Sequence, residues 1–353
     1  MGAAGERQAF VNLDFTDEQR ALQDMVREFF EKESPPAVVR AAEPLGFDAS
    51  LWRKVTGLGV PAIAVAEEAG GGGAGLVELA IAAELAGRFL APVPLIEAAA
   101  ATGLLAALAG ARVVEPLVAG ELLATVALHP AAGEVARLVP AGAVADLVVV
   151  LRGEELLLVE QPVKPAAAIP NLGAMPLADC PLPADAVVLA RGPAAVAAHR
   201  RAVALWEALT AAALAGLAAR ALEIGTSYVL GRRAFGVLIG SFQTVQHRLA
   251  DNATAIDGAR VLAYEAAWAQ DAGRPDADSL ATMAFLFAAE TAFTAASESL
   301  HFHGGYGYTL EYDIQLYFRR AKAWPLVAGD PRAAYAALAR RLYGPVSAGT
   351  REG

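Results

Sequence analysis

The sequence has almost no cysteine. Cys180, alone among 353 residues, cannot close an internal disulfide and rules out a cysteine-rich metal framework, which points to a reducing, cytoplasmic setting. Positive charge is also scarce. The 28 Lys and Arg against 38 Asp and Glu leave a formal charge of −10, which argues against nucleic acid or an anionic membrane surface as the main partner. Long charge-free apolar runs are missing too: the longest, around residues 98–111, falls short of the roughly 18–20 residues that a spanning helix needs. No membrane span is expected, despite a mean hydropathy of +0.41. The first residues carry Glu6, Arg7 and Asp14 and no apolar run, so no signal peptide is expected, and Glu6 breaks the N-myristoylation pattern after Met1-Gly2. Apolar side chains are what the sequence does have. At 56% hydrophobic and 19% charged, disorder is excluded, and the apolar surplus is assigned to cores and to a subunit interface.

Local patterns divide the chain into three. Thr16-Asp17-Glu18-Gln19 reads as a capping box, followed by Leu22, Met25, Val26, Phe29 and Phe30 on one helical face. Further helices are predicted over about 47–56, 77–89 and 94–109, with a glycine-rich loop at 67–73. Short branched runs at 122–128, 147–151, 156–160 and 186–189 then read as strands, with Arg152-Gly153-Glu154 as a hairpin turn and many prolines, Pro162 and Pro165 included, between them. From Pro193 onward, long helices are predicted at 195–230, 241–271, 278–300 and 332–342. The expected architecture is mainly α with a small β domain. It comprises an N-terminal helical domain (1–112), a shortened, barrel-like middle β domain (113–192) and a C-terminal four-helix bundle domain (193–353).

Two segments carry chemistry. In His301-Phe302-His303-Gly304-Gly305-Tyr306-Gly307-Tyr308-Thr309, three glycines in four positions leave backbone N–H groups open to an oxygen-rich ligand such as a phosphate, or else simply end a helix. An esterase oxyanion loop is excluded, because no G-x-S-x-G elbow occurs. The i, i+2 histidines have no carboxylate or cysteine partner nearby, so no metal is assigned; both read as polar groups at a buried turn. Arg232-Arg233-Ala234-Phe235-Gly236, followed by Ser241-Phe242-Gln243, sets a cationic fork, aromatic rings and an amide at a break between helices. That segment suits a phosphate, or a plain helix corner.

Together these residues resemble the acyl-CoA dehydrogenases over nearly the whole chain. The resemblance rests on Arg232, Phe235, Gly236, Phe242 and Gln243, on Gly304 to Thr309, and on Glu311-Tyr312 with Arg319-x-Ala321-Lys322. Asp17-Glu18-Gln19, the Glu67-Glu68-x-Gly70-Gly71 loop and Glu84-Leu85-x-Gly87-Arg88 add to it. It implies FAD-dependent α,β-desaturation of an acyl-CoA substrate, with electrons passed to an electron-transfer flavoprotein. A carboxylate takes the α-proton while the β-hydride goes to the flavin. Here the usual base position falls on Ala328, and the alternative one, early in the first bundle helix, falls on Trp206. Glu207 lies one residue, about 100°, further round.

The flavin segments diverge as well. The family's Thr-Glu-Pro-x-Ala-Gly-Ser-Asp stretch aligns with 128–135, and its Trp-Ile-Thr stretch with Leu138-Val139-Pro140, so hydroxyl groups are lost in both. Groups that reach across a dimer to a neighbour's FAD are kept: Arg232, Phe235, Phe242, Gln243, His301 (in place of the usual glutamine), Gly304 and Gly305. The chain therefore resembles the non-catalytic subunit of the heterotetrameric acyl-CoA dehydrogenases that actinobacteria use on bulky, steroid-derived acyl-CoA. FAD would be held mainly by a homologous chain. Two alternatives stay open: an active homo-oligomer using Glu207 or Asp330 as base, and a flavin-free scaffold.

Overall fold

The computed structural model describes residues 14–161 and 167–344; the reading of the first residues as leaderless, Pro162 and Pro165 lie outside them. Helix α1 (Asp17–Glu33) starts at the expected capping box. The Thr16 hydroxyl accepts the Gln19 N–H at 3.1 Å, and the Gln19 side chain accepts the Thr16 N–H at 3.0 Å. Its buried Val26 and Phe30 face α4 (Leu76–Arg88). Between them lie α2 (Pro36–Ala41), started by proline, and α3 (Ala49–Gly57), whose cap Asp48 accepts from Ser50 and Leu51. After α5 (Leu95–Leu108) comes α6 (Ala111–Val118), so helix runs past residue 112.

Six strands follow: β1 (Ala124–Val126), β2 (Val135–Val139), β3 (Leu147–Arg152), β4 (Glu155–Glu160), β5 (Ala178–Pro181) and β6 (Val187–Arg191). They do not make the expected barrel-like unit. Four form an open sheet in the order β1-β3-β4-β6, with β1 parallel to β3, while β2 and β5 pair separately as an antiparallel ribbon. The physical reason is in β3 and β4, which are apolar on both faces. Leu147, Val149, Leu151, Leu156 and Leu158 pack with Leu104 and Leu105 of α5, whereas Val148, Val150, Leu157 and Val159 enter the main core. One face is covered by α5 together with Ala195, Ala198 and Ala202, and the other joins the core that also holds Ala136 and Val139 of β2 and Ala178 and Cys180 of β5, so packing rather than strand closure covers the sheet.

The C-terminal part holds α7 (Pro193–Gly231), a hairpin of β7 (Arg233–Ala234) and β8 (Val237–Leu238), α8 (Gln243–Asp271), α9 (Ala277–Phe302), α10 (Ile314–Ala323) and α11 (Pro331–Tyr343). Helix α7 packs on α9, α8 and α4, and α10 packs on α9 and α7. By length and composition, α7 and α9 are apolar enough to cross a membrane, because a few charges scattered along them interrupt every charge-free run without making them polar. Their apolar windows are 83% and 56% buried inside the fold, as core helices.

The Glu84-Leu85-x-Gly87 motif is where α4 meets α7. A Cβ on Gly87 would stand 2.0 Å from the Ala213 carbonyl oxygen, and one on Gly216 would stand 1.9 Å from that of Glu84. Glu84 itself is buried, accepting from the Tyr264 hydroxyl at 2.6 Å and Arg260 Nε at 3.0 Å. Gly87→Ala is expected to destabilise the fold by about 1–3 kcal/mol through overpacking. Gly103→Ala, at a helical site with nothing within 4 Å, should be neutral or slightly stabilising. Denaturant titration of both variants checks the contrast, and equal stabilities would refute it.

Candidate functional site

The arginine corner projects as a two-residue β-hairpin. Arg233 pairs with Leu238 and Ala234 with Val237, leaving Phe235 and Gly236 at the tip with φ of +53° and +81°. Positive φ at both loop positions is the primed turn that fits strand twist, and glycine takes it freely whereas phenylalanine does not. Phe235 is also 96% exposed, so the strained aromatic tip serves no packing within this chain. Arg232 caps α7 through its backbone N–H to the Tyr228 carbonyl, and its guanidinium has no partner among the described residues. Phe242 precedes α8, and Gln243 is its first residue.

The glycine loop turns immediately after α9. Gly304 (φ +58°) and Gly305 are exposed with open space where a Cβ would be, so their backbone can be approached closely. Gly307 serves packing instead, since a Cβ there would stand 2.6 Å from the Leu300 carbonyl oxygen. The two histidines also separate. His301 is exposed, whereas His303 is buried, with Nδ1 2.7 Å from the Ser299 carbonyl, and burial pushes its pKa down. The expectation of two polar groups at a buried turn holds for His303 alone. Its ring stacks on Tyr228 at 3.9 Å, and Tyr228 is one turn before Arg232. This stack ties the glycine loop to the arginine corner at one end of the helices. Tyr228 does not stand out in the sequence, although its i, i+4 spacing to Arg232 is visible there.

The positions expected for a base lie elsewhere. Glu207 and Ala328 line one cavity of about 900 Å³, together with Lys322 and Asp330. Burial pushes the Glu207 carboxyl up to about 7, against the Thr282 hydroxyl that donates to it at 2.7 Å and the charge of Arg341. Asp330 accepts from the Arg332 N–H at 2.9 Å as the cap of α11. Trp206 lies behind this cavity, its ring 5.6 Å from that of the lining residue Phe285, and donates its ring N–H to Glu97 at 3.3 Å. A carboxyl raised on folding favours the folded state below its unfolded value, near 4.3, and loses that contribution as pH rises through about 7. Glu207→Gln is therefore expected to stabilise the chain at pH 8 relative to wild type by on the order of 2–3 kcal/mol, with no gain at pH 4. Thermal melts at both values check it, and a parallel shift at both would refute it.

A second cavity, of about 820 Å³, is lined by residues 129–135, 137 and 138. No Ser or Thr hydroxyl opens into it, and its charged residues are of both signs, Glu134 and Arg137. His129 Nε2 is 3.0 Å from the Val327 carbonyl, and the Pro140 carbonyl accepts from the Thr125 hydroxyl at 2.6 Å.

Residues 16–111 match the acyl-CoA dehydrogenase N-terminal domain, and residues 201–343 match the acyl-CoA dehydrogenase C-terminal domain. The chain belongs to the acyl-CoA dehydrogenase family. Acyl-CoA dehydrogenase IpdE2 of Mycolicibacterium smegmatis is 32% identical over 326 residues, covering 90% of this chain and 96% of that protein. Among solved structures, the ChsE4-ChsE5 complex from Mycobacterium tuberculosis superposes with a TM-score of 0.84 at 27% identity, over 94% of this chain and 99% of that one. A steroid acyl-CoA dehydrogenase, Tcur3481-Tcur3483, superposes with a TM-score of 0.81 at 28% identity, over 92% and 98%.

Acyl-CoA dehydrogenases use FAD, and the two candidate surfaces differ in their fit to it. The cavity at 129–138 does not fit: it offers proline, alanine and glycine where hydroxyl donors are needed. The arginine corner and glycine loop suit an anionic diphosphate, with a guanidinium unpaired among the described residues, an amide and a glycine backbone open to close approach. They face outward, away from the chain's own cavities.

Proposed function

We propose that this acyl-CoA dehydrogenase family chain is the non-catalytic partner in a heteromeric enzyme, completing the FAD site of a homologous chain rather than building its own. The single observation that carries this reading is the division within the site. Outward-facing groups suited to a phosphate are kept at Arg232, Gln243, Gly304 and Gly305, while Ala328 stands where the resemblance puts the base and the inward cavity lacks hydroxyl donors. When bound, FAD accepts the hydride that leaves an acyl-CoA β-carbon. This chain's own part is to hold the cofactor's diphosphate through Arg232 and the glycine loop, with the Phe235 tip seated against the partner.

A relative named as a steroid acyl-CoA dehydrogenase supports a bulky, steroid-derived acyl-CoA as substrate, and the two-chain complex supports the unlike pair. We further propose that electrons leave to an electron-transfer flavoprotein, in the cytoplasm. Flavin absorbance of the chain purified alone and with its homologous partner tests the proposal. A second reading has its own observation. Glu207, with a carboxyl poised near 7, shares a cavity with Ala328, as a base in an active homo-oligomer would. Acyl-CoA oxidation by the lone chain, abolished in Glu207→Gln, would establish that reading instead.

A further inference from the structure

The two halves of the outer site come from distant parts of the chain, Arg232 at the end of α7 and Gly304 with Gly305 after α9, and the fold gives them a common support. Tyr228 sits one turn before Arg232, and its carbonyl accepts the Arg232 N–H at 2.9 Å. The Arg232 carbonyl in turn accepts the Ile239 N–H at 2.9 Å, which closes the hairpin back on α7. On the other side, His303 immediately precedes Gly304. It is 4% exposed, with Nδ1 2.7 Å from the Ser299 carbonyl one turn back on α9. The Tyr228 and His303 rings lie 3.9 Å apart and within 26° of parallel, so one stack joins the last turn of α7 to the residue that leads into the glycine loop.

Three further features bear on what this stack does. Tyr312 braces it from the segment before α10, with its ring 6.2 Å from that of Tyr228 and 5.5 Å from that of His303. The Tyr228 hydroxyl has no hydrogen-bond partner among the described residues, so the ring alone makes the contact. The far end of the glycine loop is held as well: Arg40 of α2 donates to the Leu310 carbonyl at 3.1 Å and pairs with Asp313 at 2.6 Å. Gly304 and Gly305 therefore lie between two anchors, with open space where a Cβ would be.

We propose that Tyr228 and His303 act as one positioning unit, holding Arg232 and the Gly304–Gly305 backbone at the spacing that a diphosphate bridges. Neither side chain touches the cofactor; the stack fixes where the guanidinium stem starts and where the glycine backbone turns. An arginine and two glycines have much freedom to lose on binding, and a support that removes part of it beforehand strengthens binding without adding a contact. This inference rests on the reading of the outer site as an FAD diphosphate site, and it can fail while that reading stands.

FAD is titrated into the complex of this chain with its homologous partner, stripped of flavin, and binding is followed by flavin fluorescence. Tyr228→Leu and His303→Leu are each expected to weaken binding about 3–10-fold, whereas Tyr228→Phe, which keeps the ring, should stay within about twofold of wild type. The two leucine substitutions together should lose little more than the larger single loss, because the stack is broken only once. In an Arg232→Ala background the effect of Tyr228→Leu should shrink toward unity, because one half of the site is already gone. Circular dichroism and gel filtration show that each variant is folded and paired. If His303→Leu unfolds at its buried position, Tyr228→Leu at a half-buried one decides alone. A Tyr228→Phe loss equal to that of Tyr228→Leu would make the hydroxyl a direct contact and overturn the positioning role. With Arg232→Ala weakened, wild-type binding in Tyr228→Leu or additive losses at Tyr228 and Arg232 would overturn it too, and would leave the FAD reading standing. Wild-type binding in Arg232→Ala overturns both.

Discussion

Replacing Arg232 by alanine is expected to weaken FAD retention by the complex of this chain with its homologous partner by roughly ten- to a hundredfold. The guanidinium has no partner among the described residues, so its removal leaves no broken ion pair behind and should not change the melting temperature. Its proposed role is a charge-assisted contact with a diphosphate, the class of hydrogen bond that is worth most when made and most missed when lost. Arg232→Lys should fall between, because an ammonium keeps the charge and loses the planar fork. Flavin fluorescence released on dilution of the purified complex measures the effect. Retention equal to wild type, with the complex intact, would remove Arg232 from the FAD site.

The largest effect on stability is expected at Glu43. Its carboxylate accepts from Arg319 at 2.7 Å and pairs with Arg320 at 3.0 Å. Arg320 is 2% exposed, and its one other hydrogen bond among the described residues is a long one to the Leu316 carbonyl at 3.4 Å. Glu43→Ala leaves that guanidinium buried without its counter-ion, which should cost about 3–5 kcal/mol, or a fall in melting temperature of roughly 5–10 °C. Adding Arg320→Met to Glu43→Ala should recover much of the loss, because it removes the stranded charge. Burial alone would raise the Glu43 pKa, but the hydrogen bond from Arg319 and the charges of Arg320 and Arg319 hold it below the ordinary carboxylate range. That pairing therefore contributes stability above the unfolded pKa, near 4.3, and loses it as pH falls through the folded value. The acid limb of the stability curve should be shallower in Glu43→Ala. Melting temperatures within a degree or two of wild type at pH 7 would refute the account of this pair.

The helices were legible where local chemistry fixed them. Thr16 and Gln19 announce the start of α1, and the long apolar repeats bring α7, α8 and α9 to within two residues of their predicted ends. Helix α6 lies past the expected domain boundary at 112, and Pro116 sits near the end of this eight-residue helix. The β region misled because β3 and β4, apolar on both faces, say that they are buried but not by what: α5 and the start of α7 cover one face, and the other joins the core that includes β2 and β5. Arg232, Phe235, Gly304 and Gly305 stood out by composition and order. Their convergence did not, because it depends on Tyr228 stacking on a histidine seventy-five positions away. Glu97 was equally silent, as one acid opening an alanine-rich helix, and only the tertiary fold shows that it faces Trp206 and an apolar cleft.

The central claim is that the flavin belongs to a pair of unlike chains, with this one supplying the outer contacts. Its most direct test is flavin stoichiometry, read from absorbance against protein mass for the lone chain and for the complex with its homologous partner. About one FAD for each pair of unlike chains, and none on this chain alone, is the predicted result. Full FAD occupancy of a homo-oligomer of this chain alone would contradict it.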